Sequence, residues 1–460
     1  MKTVILATDR CKETGELSEL TRNIPKALML VAGRPLLSRI LRSLSRSGIR
    51  EAIIVTGYRG ELIRQVVGDV FAGIKIKYVE NLMWEQGDLH SFLTVEKEIH
   101  GDFLLCVADN LFDHRIVEGL VQHGLRGVVT LAVDDVDPLP GAVKGLVENG
   151  RIIDIGEEID GSNHVYVGVL LCSSEVFKYA RKAVNDGGKT LIDCIKLIAR
   201  DGKAYAFDLD TVPSYLPKMR RHERPFWISI ETLDDLKHAE RLLVENASKE
   251  PSDLVAKYLN KPIENRLVLI LAKTSITPNQ VTIIVNITAY LVTYLFLTGQ
   301  LLIGSILTFL VGILDGVDGK LARIHGMESK LGIMEHPFDL LFEFSWYIAL
   351  ALHSFWTLRR ADPLILCLFI LAAIAFYRFI YDQFRKATGM SLDDYGKFER
   401  YFRRVAGRRN LYNIPILIST LFNAPFYALI AISCHAVLTA FIYAWRACKH
   451  LYKLDLTDKE

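Results

Sequence analysis

The chain lacks a CxxC pair. Its seven cysteines lie far apart between Cys11 and Cys448, which argues against a zinc site or a disulfide framework and fits reduced thiols. It lacks a charge surplus: 55 basic against 53 acidic residues leave +2, so no nucleic-acid partner is expected. The opening MKTVILAT meets Asp9, Arg10 and Lys12 too soon for a signal peptide, and the first domain is expected in the cytoplasm. No internal repeat or low-complexity tract breaks the sequence. At 460 residues the chain should hold at least two units, each with its own core.

What is present changes abruptly along the chain. Residues 1–245 alternate apolar strand-like runs (VILA, AIIVTG, DFLLCVAD, GVVTLAVD) with amphipathic helical stretches, the pattern of an α/β sheet covered by helices. Residues 246–276 read as a polar linker leading into an amphipathic juxtamembrane segment around NRLVLILAK. Residues 277–450 read as an all-α domain of six membrane spans, at 280–298, 301–323, 336–356, 363–385, 411–422 and 424–445, against the roughly 20 residues that cross hydrocarbon. Basic residues gather at Lys320, Arg323 and Lys330, between Arg385 and Arg409, and at Arg446, Lys449 and Lys453, while the outward loops LTGQ and NAP carry no charge, with Arg359 and Arg360 the one exception. The positive-inside rule then puts the basic ends and the first domain in the cytoplasm of a multi-pass protein that contacts membrane lipids.

Carboxylates stand inside these apolar stretches. In GILDGVDGKLARIHG, Asp315, Asp318 and Ala322 share a helix face, and Glu335 and Asp339 share another at the start of the third span. Four acids converging at one membrane boundary repel one another unless a cation neutralises them, and hard oxygens favour Mg²⁺, Mn²⁺ or Ca²⁺. Gly316 and Gly319 remove side chains beside the acids, so that a bulky ligand can approach the helix. The alternatives are that the acids pair with Lys320, Arg323 or Arg378 to fix packing, or line an ion path.

The stretch Asp315-x-x-Asp318-Gly319-x-x-Ala322-Arg323, then eight residues to Gly332, resembles the signature of the CDP-alcohol phosphotransferase family, and TPNQVT at 277–282 resembles the start of that family's first membrane helix. The resemblance covers about residues 255–450. It implies Mg²⁺, with Mn²⁺ as the alternative, held by Asp315, Asp318, Glu335 and Asp339, with Asp339 as the base that deprotonates the acceptor hydroxyl. It also implies a CDP site at Thr282, Asp315, Gly319, Ala322 and Arg323, and a homodimer formed through the membrane domain. The family pattern sets its third acid where His336 stands; Glu335 takes that role here and keeps a spacing of four to Asp339.

Arg378, inside the fourth span, and Arg408 and Arg409 are expected to clamp a phosphorylated alcohol acceptor. The other arginines of the belt fit anionic lipid headgroups equally well.

In the first domain, Pro25-Lys26-Ala27-Leu28 through Leu37, with VADNLFD at 107–113 and WISIETLDDL at 227–236, resembles the Rossmann-like sugar-nucleotide and cytidylyltransferase fold. That resemblance implies Lys26 on phosphate and Asp109 on metal. The glycine-rich triphosphate loop is replaced by ATDRCKETGELSELTRN, with one glycine, and Ser229 stands where a second metal aspartate is expected. These two losses predict a degenerate domain that no longer transfers cytidylyl groups.

The fusion resembles the archaeal and bacterial enzymes of di-myo-inositol phosphate synthesis, which implies transfer from CDP-inositol to inositol phosphate with release of CMP. Two rivals stand beside it. One is a phospholipid synthase using CDP-diacylglycerol with inositol phosphate or glycerol phosphate; the other is a membrane-anchored cytidylyltransferase or nucleotide-binding regulator.

Overall fold

The apolar runs VILA, AIIVT and FLLCV become adjacent parallel strands: Lys2–Ala7 lies between Glu51–Thr56 and Phe103–Val107. Each is buried on both faces, which is why it reads as an unbroken hydrophobic run rather than an alternation. Ile5, Ile54 and Leu104 pack into one core layer, and Val4, Leu6, Ile53, Val55 and Leu105 into the other, as the two-residue period of a strand requires. In this computed structural model the described residues are 1–9, 17, 22–137, 141–216, 219–250, 253–327 and 335–457. The chain divides into two units, Met1–Pro217 with Arg221–Leu243, and Lys218–Arg220 with Val244–Glu460.

Among the described residues the sheet of the first unit has ten strands. Outward from Lys2–Ala7 on one side come Glu51–Thr56, Ile74–Glu80 and Val70–Phe71; on the other come Phe103–Val107, His164–Cys172, Val129–Asp134, Ala204–Asp208, Arg151–Gly156 and Lys144–Glu148. His164–Cys172 runs antiparallel to both of its long neighbours. The parallel strands end at Ala7, Thr56 and Val107, and the loops after those ends carry Asp9 and Asp109, the edge at which open α/β sheets bind ligands. On the opposite layer Phe103 stacks with Phe92 and Phe177 at ring-centre distances of 6.1 and 5.8 Å.

The second unit is helical. Its long helices are α1 (Lys261–Leu271), α2 (Pro278–Leu297), α3 (Leu301–His325), α4 (Glu335–Leu358), α5 (Asp362–Thr388), α6 (Arg409–Leu421) and α7 (Pro425–Thr457). Helices therefore cover all six stretches read as spans. Four of them, α2, α3, α5 and α7, are long and apolar enough to cross a membrane. Helix α4, which carries Asp339, Glu343 and His353, is not among the four, and α6 has 13 residues with Pro415 inside it.

The start of α2 explains the TPNQ sequence. Thr277 Oγ1 accepts from the Gln280 amide at 3.3 Å, Gln280 Oε1 accepts from the Thr277 amide at 2.9 Å, and Pro278 opens the helix, a reciprocal cap. Helix α7 runs for 33 residues. Near its charged end Arg446 and His450 both engage Glu399 Oε1, the histidine at 2.7 Å, and Arg446 lies over the Phe398 ring at 4.8 Å.

Phe103 is fully buried in its aromatic stack. Phe103→Ala should destabilise the first unit by about 3–5 kcal/mol, read as a lowered midpoint in chemical denaturation followed by near-ultraviolet circular dichroism.

Candidate functional site

In the helical unit the acids of α3 are held from different directions. Asp315 is ion-paired with Arg409 at the start of α6, and Arg409 also lies over the Phe342 ring of α4 at 4.8 Å. Asp318, 2 % exposed, accepts from Thr282 Oγ1 of α2 at 2.6 Å and from the Gly319 amide. Thr282, expected at the nucleotide, thus orients an acid. Asp339 on α4 lies close enough to act electrostatically on Asp315, Asp318 and Arg409, and His336 Nδ1 stands 4.0 Å from its carboxylate.

Glu335 begins α4, but its side chain lies outside the described residues, as do Lys330 and Gly332. Among the described residues no three histidine, cysteine or carboxylate side chains stand together as a metal-holding group. The donor chemistry nonetheless fits a hard divalent cation at one atom: Asp315 Oδ1 is buried with no hydrogen-bond partner among the described residues, and such an oxygen calls for a proton donor or a cation.

A fifth acid was not singled out from sequence. Glu343, 1 % exposed, follows Asp339 by one turn of α4, pairs with Arg378 and accepts from Tyr347 Oη at 3.0 Å. Glu335, Asp339, Glu343 and Tyr347 recur every four residues, the signal that would have found it. It also changes the reading of the arginines. Arg378, Arg408 and Arg409, expected as an open anion clamp, each carry an acidic partner: Arg378 has Glu343, Arg409 has Asp315, and Arg408 has Asp393 at 2.5 Å. Asp393 also accepts from Tyr443 Oη at 2.8 Å. A charge this deeply placed is partnered because an unpaired one costs several kcal/mol or so.

The glycines of α3 are likewise filled from within the unit. A Cβ on Gly316 would stand 2.4–2.6 Å from the Glu264 carboxylate of α1, and one on Gly319 would stand 3.3 Å from the Arg323 guanidinium. Arg323 Nε donates to the Ala247 carbonyl at 2.6 Å. Ala322 lies on α3 beside Arg323. Burial raises the Glu264 carboxyl, opposed by the ion pair with Lys320 at 2.8 Å.

The first unit brings Lys26 and Asp109 together as expected, 3.4 Å apart, but Lys26 Nζ is closer to Glu231 Oε1, at 2.6 Å. Ser229 sits in the short strand Trp227–Ser229 paired with Asn110–Phe112, and the acid at the site is supplied two residues later. The Ile230 amide bonds to the Asp109 carbonyl at 3.2 Å, and Asp235 Oδ2 accepts from the amides of Glu231 and Thr232, so Glu231 is held in a turn. Asp109 Oδ1 is buried without a partner among the described residues. Asp9 joins the cluster electrostatically; residues 10–16 and 18–21, in place of the glycine-rich loop, lie outside the described residues.

Two family models match. The MobA-like NTP transferase domain matches residues 3–189, and the CDP-alcohol phosphatidyltransferase matches residues 275–444. The chain is thus a nucleotidyltransferase-like α/β domain joined to a CDP-alcohol phosphatidyltransferase domain. A protein of Rubrobacter xylanophilus named bifunctional IPC transferase and DIPP synthase is 30% identical over 316 residues, 67% of this chain and 68% of that one. A protein of the same name from Aquifex aeolicus is 26% identical over 351 residues, 74% of this chain and 75% of the relative. The chain belongs to the family of these bifunctional proteins. The solved inositol-1-phosphate CTP transferase of T. maritima aligns at a TM-score of 0.44 and 24% identity, over 52% of this chain and 93% of that one.

Burial pushes the Asp88 carboxyl up to about 7, against the lowering effect of the Leu191 amide that donates to it at 2.9 Å, with Asp9 and Asp109 adding to the rise. An acid whose folded pKa exceeds its unfolded value of 3.8 costs stability as pH climbs from about 4 to about 7. Asp88→Asn, which keeps the acceptor for Leu191, should therefore raise the melting temperature of the first unit at pH 8 and leave it unchanged at pH 4. Equal shifts at both pH values would contradict this account.

Proposed function

We propose that the helical unit transfers a phosphoalcohol group from a CDP-alcohol to an acceptor hydroxyl and releases CMP, with CDP-inositol as donor and inositol phosphate as acceptor. The observation that carries the reaction type is the set of acids on α3 and α4: Asp315 with a buried oxygen that has no partner among the described residues, and Asp339 acting electrostatically on both Asp315 and Asp318, in a stretch that matches the CDP-alcohol phosphatidyltransferase model. The substrates rest on the resemblance of the fusion to enzymes of di-myo-inositol phosphate synthesis and on relatives named for IPC transfer and DIPP synthesis. A lipid donor, CDP-diacylglycerol, is the competing reading and would make the product a phospholipid.

Asp315, Asp318, Glu335 and Asp339 would hold Mg²⁺ or Mn²⁺, and the cation would supply positive charge to offset the charge developing on the leaving CMP. Asp339 takes the proton of the acceptor hydroxyl. The acceptor oxygen forms its bond to the phosphorus that bears the alcohol, the bond from that phosphorus to the CMP oxygen breaks, and CMP leaves with the electron pair. Thr282 fixes the Asp318 carboxylate and Arg409 fixes Asp315, so both acids are oriented before substrate arrives. Arg378, whose side chain is 38 % exposed, offers its remaining donors to the acceptor phosphate, as does Arg408. Gly319, Ala322 and Arg323 line the nucleotide. In this reading the helices α2 to α7 make six membrane crossings, pair with a second copy, and keep the acids and the first unit on the cytoplasmic side.

We also propose that the first unit keeps a nucleotide site built on Lys26, Asp109 and Glu231, and supplies the CDP-alcohol. Glu231 answers the acid missing at Ser229, which removes one of the two reasons for expecting a degenerate domain.

Purified protein in detergent with Mg²⁺ should release CMP from CDP-inositol and inositol phosphate. Asp339→Asn should lower the rate by about 10²-fold or more, and chelation should abolish it. Release only with CDP-diacylglycerol would overturn the soluble substrates and leave the reaction type standing. Given CTP and inositol phosphate, the protein should release pyrophosphate, and Asp109→Asn should remove that release. A wild-type protein that forms no pyrophosphate would return the first unit to the degenerate reading.

A further inference from the structure

Two buried polar side chains of the juxtamembrane helix lie against the catalytic helix at positions where it has no side chains. Asn260, 2 % exposed, closes a wide helical turn, Ala256–Asn260, that runs into α1, and Glu264, 7 % exposed, follows one turn later. A Cβ on Gly312 would meet Asn410 Oδ1 of α6 at 2.7 Å and Asn260 Nδ2 at 3.4 Å, and one on Gly316 would collide with the Glu264 carboxylate. Lys320, the next residue on that face of α3, donates to Glu264 Oε2 at 2.8 Å and to Asn265 Oδ1 at 2.7 Å.

This arrangement is a poor choice if its only task is to hold α1 to α3. A buried ion pair costs desolvation that apolar side chains of similar size avoid. Acceptors also stand idle here: Asn260 Oδ1 and Asp315 Oδ1 are buried without partners among the described residues, and only Oε2 of Glu264 has a described donor. Asp315 is near enough to act on Glu264 electrostatically. The free oxygens of Asn260 and Glu264 suit a neutral group that presents N–H donors.

We propose that Glu264 and Asn260 form the nucleoside-reading part of the donor site, accepting hydrogen bonds from the exocyclic amine of cytosine. Gly316 and Gly319 are one turn apart on α3. A nucleotide whose diphosphate lies at Asp315 and Asp318 therefore carries its base within reach of this patch. Uracil sets a carbonyl oxygen where cytosine has the amine, and faces the same oxygens with no donor. The proposal rests on the reading of the helical unit as a CDP-alcohol transferase.

The test is inhibition of phosphoalcohol transfer by CMP and by UMP, measured on the full-length protein in detergent. That readout reports the transferase site and not the first unit. The wild-type protein should favour CMP over UMP by roughly 10- to 100-fold, as expected when a buried acceptor loses its donor. Glu264→Gln, whose amide can donate to the uracil oxygen, should cut that ratio at least tenfold, by weakening inhibition by CMP and strengthening inhibition by UMP. Asn260→Asp should keep the preference for CMP. A fold defect in either variant weakens both inhibitors together and does not move the ratio. An unchanged ratio in Glu264→Gln, with transfer intact, would make Glu264 a helix clamp only and overturn the proposal. A wild-type protein that carries out no transfer with any CDP-alcohol would remove the underlying reading as well.

Discussion

A carboxylate carried by an apolar helix needs a partner, because neither lipid nor packed side chains can solvate it. In the helical unit that requirement fixes which helices stand beside which. Asp315 draws in the start of α6 through Arg409, Asp318 is bound to α2 through Thr282, and Glu343 ties α4 to α5 through Arg378. Each link joins elements far apart in sequence, and each also orients a group proposed to act on substrate. Hydrophobic packing alone discriminates weakly among apolar helices in a bilayer, where lipid is as apolar as leucine; polar pairs of fixed partnership supply the missing specificity.

The first unit solves a comparable problem with less desolvation. Its acids lie at the ends of strands, where loops reach water, and the core layers on either face of the sheet need no charge. Lys26 stands between Asp109 and Glu231, a cation between two acids, so that removing the lysine would leave two like charges close together. In the family resemblance the same lysine meets phosphate, which would require it to exchange carboxylate partners for a nucleotide.

Much of this was legible in the sequence because strong periodicity leaves little choice. Unbroken apolar runs of five or six residues between helical stretches can only be central strands, and DxxDG within an apolar helix puts two acids on one face whatever the surroundings. The partners of those acids were not legible. Glu343 sits among Phe342, Phe344 and Trp346 and reads as an isolated charge until α5 places Arg378 beside it. Glu264 lies in a segment whose amphipathic pattern marks a surface helix, and only the glycines of α3 show that its polar face is buried. At Ser229 the reason is simpler: in WISIET the acid stands two residues further on, past the end of the strand, where the Asp235 carboxylate holds Glu231 in a turn. The arginines of the belt could be counted but not paired, since ion pairing across helices depends on depth and rotation that one sequence does not encode.

Helix α7 carries a consequence of its length. The roughly 20 residues before Arg446 rise about 30 Å, the thickness of a hydrocarbon core, and the roughly 12 that follow add about 18 Å more. Arg446 therefore marks a waterline along the helix. Above it the helix is a mast, and the Glu399 cluster, with Arg446 and His450, is the stay that braces the mast at its foot against the polypeptide between α5 and α6. Any change in bilayer thickness that moved α7 along its axis would pull on that stay first, and through the short helix bearing Glu399 on the chain leading to Arg408 and Arg409. Glu399 thus links the charged end of α7 to the stretch of chain that leads to Arg408 and Arg409.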